Sequence, residues 1–233
     1  PFEEFLNPHK HPPPLVAFQL GFHAEYTTNR SIMEAIATLA EKYKAPVYMH
    51  ASETESEVQD CIGRYGMTPT ALFEQLGLWN YGGGAFHSVW VSNEDLDIYK
   101  KHGVYAVLNA GSNANLASGI APVEKMLQMG IPLAVGTDGP SSNNALDMFR
   151  EMYLICVLQK LREKNAAAAD ANAILKAATA GSARCMGLPE ADCIAPGKLA
   201  DLTVIDLHRL TTDGTTWRGD LTGRLVYQYE KRM

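Results

Sequence analysis

The sequence has no CxxC pair, no apolar run long enough to span a bilayer, no signal peptide at its start and no excess of basic charge. Each absence removes a class of reading. Without paired spacing, Cys61, Cys156, Cys185 and Cys193 read as buried free thiols rather than as disulfides or a thiolate metal site. With 26 acidic against 20 basic residues and a formal charge of −6, the chain lacks the basic face that a nucleic-acid backbone or an anionic membrane rewards. A small-molecule partner and a cytoplasmic location are the remaining expectations. The chain also lacks an initiating methionine, opening at Pro1, so it is expected to be a piece of something longer.

What is present is enough for a core: 233 residues, 46% of them hydrophobic and 20% charged. Apolar runs of strand length alternate with stretches of helical period, the signature of βα units around a parallel sheet. Five units can be traced. The first pairs Leu15 to Phe18 with a helix from Ser31 to Lys44, whose apolar face is Ile32, Ala35, Ile36 and Leu39. The second strand, Pro46 to Met49, ends at His50 and precedes two short helices, the later one opening at Thr68-Pro69 and stopping at Gly77. The third, Gly84 to Phe86, ends at His87 and is followed by a helix capped by Ser92 and Asp95 and closed at Gly103. The fourth, Val104 to Leu108, ends at Asn109, and the fifth, Pro132 to Val135, leads to Asp138 and a long helix from Leu146 to Glu163. After Lys176 the pattern changes: Ala195 to Asp201 reads as a turn, and Leu202 to Ile205 and Leu225 to Tyr229 read as strands of a small β unit. Gly82-Gly83-Gly84 precedes a strand rather than opening a helix, so it reads as a flexible turn and not a phosphate loop.

His23, His50, His87, Asn109 and Asp138 all fall just past the carboxyl end of a strand. In a β/α barrel those ends converge on one mouth, where active sites are built. A single histidine at a strand end is commonly a hydrogen-bonded structural residue; polar residues at five successive strand ends favour a site.

The stretches FHAEYT, YMHASET, FHSVW, SNANLASGIAPVEKML, GTDGPSSNNALDMFREM and APGKLADLTVID closely resemble the amidohydrolase superfamily, and within it the 5-methylthioadenosine/S-adenosylhomocysteine deaminases and their chlorohydrolase-like relatives. The resemblance runs from Leu15 to Asp206. It implies an α/β fold comprising strands four to eight of a TIM (β/α)8 barrel over residues 1–190, and the C-terminal part of a small β-sandwich over 191–233. It also implies a zinc-dependent hydrolytic deaminase of a purine nucleoside-like or related nitrogen heterocycle, with one divalent ion per chain and iron or manganese as alternatives to zinc. His50 and Asp138 would bind the metal, Glu53 would shuttle protons, His87 would steady the attacked ring or the hydroxide, and His23, Glu53 and Ser142 would line the substrate pocket. In chemical terms, zinc lowers the pKa of a bound water to about 7, and water then replaces an amine on an amidine carbon with release of ammonia. Alternatives are a guanine deaminase, a triazine-type chlorohydrolase, or a truncated non-catalytic binding or assembly protein; similar enzymes are often homo-oligomers.

Two departures stand out. The family's first strand carries a His-x-His metal pair, whereas His9-Lys10-His11 follows no apolar strand and runs into Pro12-Pro13-Pro14. Leu108 stands where relatives often carry histidine, which bears on substrate preference. Five strands alone would leave two unpaired edges, so three further strands are expected upstream.

Overall fold

The computed structural model describes residues 18–205 and 221–228. It has an α/β fold in which five strands alternate with helices, and it divides into two compact units, residues 1–106 and 107–233. Leu15 to Ala17 and His9-Lys10-His11 lie outside the described residues, and the first described strand, β1, is Leu20–Gly21.

In the first unit, β1, β2 (Val47–Ala51) and β3 (Gly83–His87) form a parallel sheet in that order, with Leu20 opposite Val47 and Ala51 opposite His87. Helix α1 (Arg30–Tyr43) starts where the Asn29 side chain accepts from the Ile32 N–H and ends at left-handed Lys44. Its fully buried residues are Met33 and Ala40, while Ile32 is 47% exposed, so the helix is rotated from the face that the sequence suggests. Helix α2 (Glu55–Tyr65) is opened by a Thr54/Glu57 capping box, and α3 (Pro69–Gln75) by Thr68 with proline in its first turn. Helix α4 (Asn93–His102) has the expected Ser92/Asp95 box and Gly103 stop. The core around Phe73, Trp79 and Tyr99 is fully buried, with edge-to-face ring pairs at 5.7 and 6.1 Å.

Gly82-Gly83-Gly84 is not a flexible turn. Gly83 lies in β3 with φ +132°, and a Cβ there would sit 1.9 Å from the Val47 carbonyl oxygen. The glycine lets β3 approach β2 more closely than any side chain allows. Gly83→Ala is therefore expected to destabilise the fold by about 3 kcal/mol or more, roughly 6–12 °C in calorimetric midpoint. An unchanged midpoint would overturn the close-approach reading.

Strand β4 (Val104–Leu108) ends the first unit and begins the second. The second unit continues with α5 (Ala110–Asn115), α6 (Val123–Met129), β5 (Leu133–Val135), α7 (Pro140–Asn143), α8 (Met148–Glu163) and α9 (Ala171–Lys176). The Gly136 N–H donates to the Leu108 carbonyl at 3.0 Å, joining β4 to β5. After α9 a π-turn at Ala177–Gly181 brings Ser182 against β5, where its hydroxyl accepts from the Val135 N–H at 3.1 Å and occupies that strand's edge.

The strand expected at Leu225 to Tyr229 is instead helix α10 (Leu221–Gln228), with Leu225 and Val226 buried. Among the described residues no strand lies beside this segment. A lone strand would leave its backbone groups unpaired, whereas a helix satisfies them internally and packs its apolar side on α8 and α9. Leu202 to Ile205 likewise carry no ladder, although Ala195 to Lys198 form the expected turn, with Lys198 N–H donating to Ala195 O. Cys61, Cys156 and Cys185 are buried free thiols as expected; Cys193 is free but exposed. No described helix is long and apolar enough to cross a membrane.

Candidate active site

The carboxyl ends of β2 and β3 carry most of the first unit's candidate residues. His50, near the end of β2, has its Nδ1 at 2.8 Å from the His23 carbonyl oxygen, which also accepts the His50 backbone N–H at 2.8 Å. A carbonyl only accepts, so Nδ1 carries the proton, and in the neutral ring the lone pair lies on Nε2. The His23 ring lies 4.5 Å from the His50 ring, and its Nδ1 contacts the Thr27 hydroxyl at 3.0 Å within the 3-10 turn Glu25–Thr27. That turn is anchored from below by Glu25, which is buried and paired with Arg64. Burial pushes the Glu25 carboxyl up, and Arg64 offsets part of the rise.

The sheet register pairs His50 with Phe86 and Ala51 with His87. Strict alternation would put His87 on the face opposite His50. Yet the two rings stack at 5.2 Å and 28°, and a ring nitrogen of each lies within 4.8 Å of the other's. The alternation is broken by backbone conformation: His87 and Ser88 are left-handed, with φ of 71° and 51°. On the neighbouring loop Ser52 is also left-handed, with φ of 55°, and its carbonyl accepts the N–H groups of Val89 and Trp90. Left-handed Lys44, Asn144 and Lys164 are ordinary helix ends, but Ser52, His87 and Ser88 lie at strand ends, where strain of about 1–3 kcal/mol each points to function.

Glu53 sits with its Oε2 at 3.8 Å from His87 Nε2, its side chain 15% exposed against 1% for His87. Its loop is held by Glu57, which the strand-end pattern does not mark, although the Thr54-x-x-Glu57 spacing of a capping box could have found it. Burial pushes the Glu57 carboxyl up, while the N–H groups of Glu53, Ser52 and Thr54 pull it back.

In the second unit Asp138 follows β5 with φ of 58°. The hydroxyls of Ser112 and Ser142 both donate to its Oδ2, at 2.6 and 2.8 Å. The family resemblance points to Ser142 here but not to Ser112, which lies inside the SNANLASG stretch. A buried network holds the loop from behind. The Asn143 amide donates to the Thr137 carbonyl and to Glu151 at 2.5 and 2.7 Å, and Glu151 accepts the Gly111 N–H at 2.8 Å. Burial pushes the Glu151 carboxyl up, and Gly111 and Asn143 partly offset it. Asn109 plays a structural part. With its amide nitrogen toward Gly136, it donates to the carbonyls of Gly136 and Leu108 at 3.1 and 3.2 Å.

The first unit thus gathers His23, His50, Glu53 and His87, and the second gathers Asp138, Ser142 and Ser112. A neutral imidazole with its far N–H tied to a carbonyl is a standard first-row metal donor, and a carboxylate oriented by two hydroxyls is another, so this donor chemistry suits zinc.

The sequence profile of the amidohydrolase family matches residues 8–227. A 5-methylthioadenosine/S-adenosylhomocysteine deaminase of Pyrococcus furiosus is 41% identical over 196 residues, 84% of this chain and 46% of the relative. A 5'-deoxyadenosine deaminase of Methanothermobacter thermautotrophicus is 38% identical over 199 residues, 85% of this chain and 46% of the relative. The crystal structure of an adenosine deaminase from Xanthomonas campestris with bound zinc superposes with a TM-score of 0.87 at 36% identity, covering 93% of this chain and 49% of that one. The chain spans about half the length of the curated relatives it matches.

Proposed function

This chain belongs to the amidohydrolase family, and from that premise we propose that it supplies metal-binding and proton-transfer residues of a zinc-dependent deaminase acting on an adenosine-like heterocycle. The observation that carries the reading is the orientation of His50: its Nδ1–H is spent on the His23 carbonyl, which leaves Nε2 to a metal beside His87 and Glu53. Residues 1–190 would be the C-terminal portion of a β/α barrel, strands four to eight, with 191–233 contributing to a small appended unit apart from helix α10, which packs on α8 and α9.

His50 and Asp138 would hold the ion, and His87 offers a further nitrogen on the same rim as His50. When bound, zinc supplies the charge that lowers the pKa of a water to about 7. Glu53 takes a proton from the attacking water as the new C–O bond forms. It returns that proton to a ring nitrogen and delivers the next to the amine, so the C–N bond breaks and ammonia leaves. His23, Glu53 and Ser142 line the substrate side, and His87 steadies the polar groups around the reacting carbon.

The test is ammonia release by the zinc-loaded protein containing this chain, across adenosine derivatives, guanine and aminotriazines, with metal content measured in parallel. About one zinc per chain and preference for an adenosine derivative are expected. Preference for guanine or a triazine would move the substrate class. A metal-free protein with intact His50 and Asp138 that releases no ammonia would leave a non-catalytic binding role instead.

A further inference from the structure

Resting on the deaminase reading, we propose that Glu57 is a positioning residue for Glu53: its buried carboxylate clamps the backbone of Ser52, Glu53 and Thr54 and thereby aims the proton-transfer carboxylate at the His87 side of the site. A capping box accounts for only part of what Glu57 does. In such a box the glutamate reaches back to the N-cap N–H, and here that bond, Thr54 N–H to Glu57 Oε2, is the longest of three at 3.4 Å. The shorter ones run to residues before the helix: Ser52 N–H to Oε1 at 2.9 Å and Glu53 N–H to Oε2 at 2.7 Å. Both oxygens are thus engaged by successive amides of the loop that carries Glu53.

Two further features show the clamp exceeding ordinary helix capping. Glu57 is 5% exposed, and a carboxylate in the interior has a desolvation cost that a helix cap at the surface avoids. The loop it holds is otherwise disfavoured, since Ser52 is fully buried with φ of 55°. Charge-assisted bonds to three amides offset both costs and leave one backbone path from His50 to Glu53. Glu53 has rotatable side-chain bonds, so its aim at His87, 3.8 Å away, depends on where its backbone is held.

Glu57→Gln tests this on the zinc-loaded protein. The amide cannot accept on both sides: its NH2 group meets a backbone N–H. Expected results are faster amide exchange at Ser52, Glu53 and Thr54, a kcat reduced about 10- to 100-fold, and KM and zinc content unchanged. The decisive comparison is a double-mutant cycle with Glu53→Gln. If Glu57 acts through Glu53, the double variant is no slower than Glu53→Gln alone; additive losses, or wild-type kcat in Glu57→Gln, would overturn the proposal. Glu57→Asp, which keeps the charge but falls a methylene short of the amides, should behave in the same direction, and so covers the case in which Glu57→Gln does not fold. Should the wild-type protein release no ammonia at all, the deaminase reading fails separately, and amide exchange still decides the clamp: unchanged protection in both variants overturns it.

Discussion

Glu53→Gln is expected to lower ammonia release by about a thousandfold while leaving zinc content and thermal midpoint near wild-type values. Glutamine matches glutamate in shape, and the Glu53 backbone N–H is held by Glu57 rather than by its own side chain, so the loop keeps its path. The change is confined to the ability to take up and return a proton next to His87. Single-turnover ammonia release together with metal analysis measures both halves of the expectation. Turnover within about tenfold of wild type would remove Glu53 from the proton path. Loss of zinc would instead mark the residue as a ligand.

Asp138→Asn should weaken zinc binding by about 100-fold or more and abolish turnover with it. The Ser112 and Ser142 hydroxyls donate to one oxygen of Asp138, Oδ2, and an amide oxygen in that place can accept both. The loop behind it rests on Asn143, Glu151 and Gly111, none of which the substitution touches. What disappears is the negative charge that a divalent ion draws on. Chelator competition reads the affinity directly, and stoichiometric zinc held as tightly as in the wild type would exclude Asp138 from the metal site.

Much of this architecture is legible in the sequence alone. The strand-length runs ending at His50, His87 and Leu108 form β2, β3 and β4, and the caps at Thr68, Ser92 and Gly103 act where their chemistry requires. These signals are local: a hydroxyl that caps a helix, or a glycine that ends one, acts within four residues of its place in the chain. The face of α1 and the fate of Leu225 are not legible there, because burial depends on what packs alongside. Met33 rather than Ile32 turns inward, and Leu225 and Val226 are buried in a helix on α8 and α9 instead of in a strand. Gly83 misleads for a related reason: three successive glycines suggest flexibility, and only the approach of Val47 reveals a packing demand.

The same division runs through the site. By itself the sequence determined which residues have the right chemistry and that they fall at strand ends, since residue type and apolar periodicity are properties of the chain. It also carried the family resemblance in short motifs around His50 and Asp138. Only the tertiary structure decided how these groups are presented. Left-handed backbone at His87 brings its ring onto the His50 face against the alternation of the strand. The His23 carbonyl, 27 residues away in the chain, sets the His50 tautomer. The buried carboxylate of Glu151 accepts from Gly111, 40 residues away in the chain, and holds the Asp138 loop from behind, whereas Glu57 is marked by a local capping-box spacing. Hydrogen bonds and steric limits between distant segments fix orientation, and no spacing along the chain encodes them.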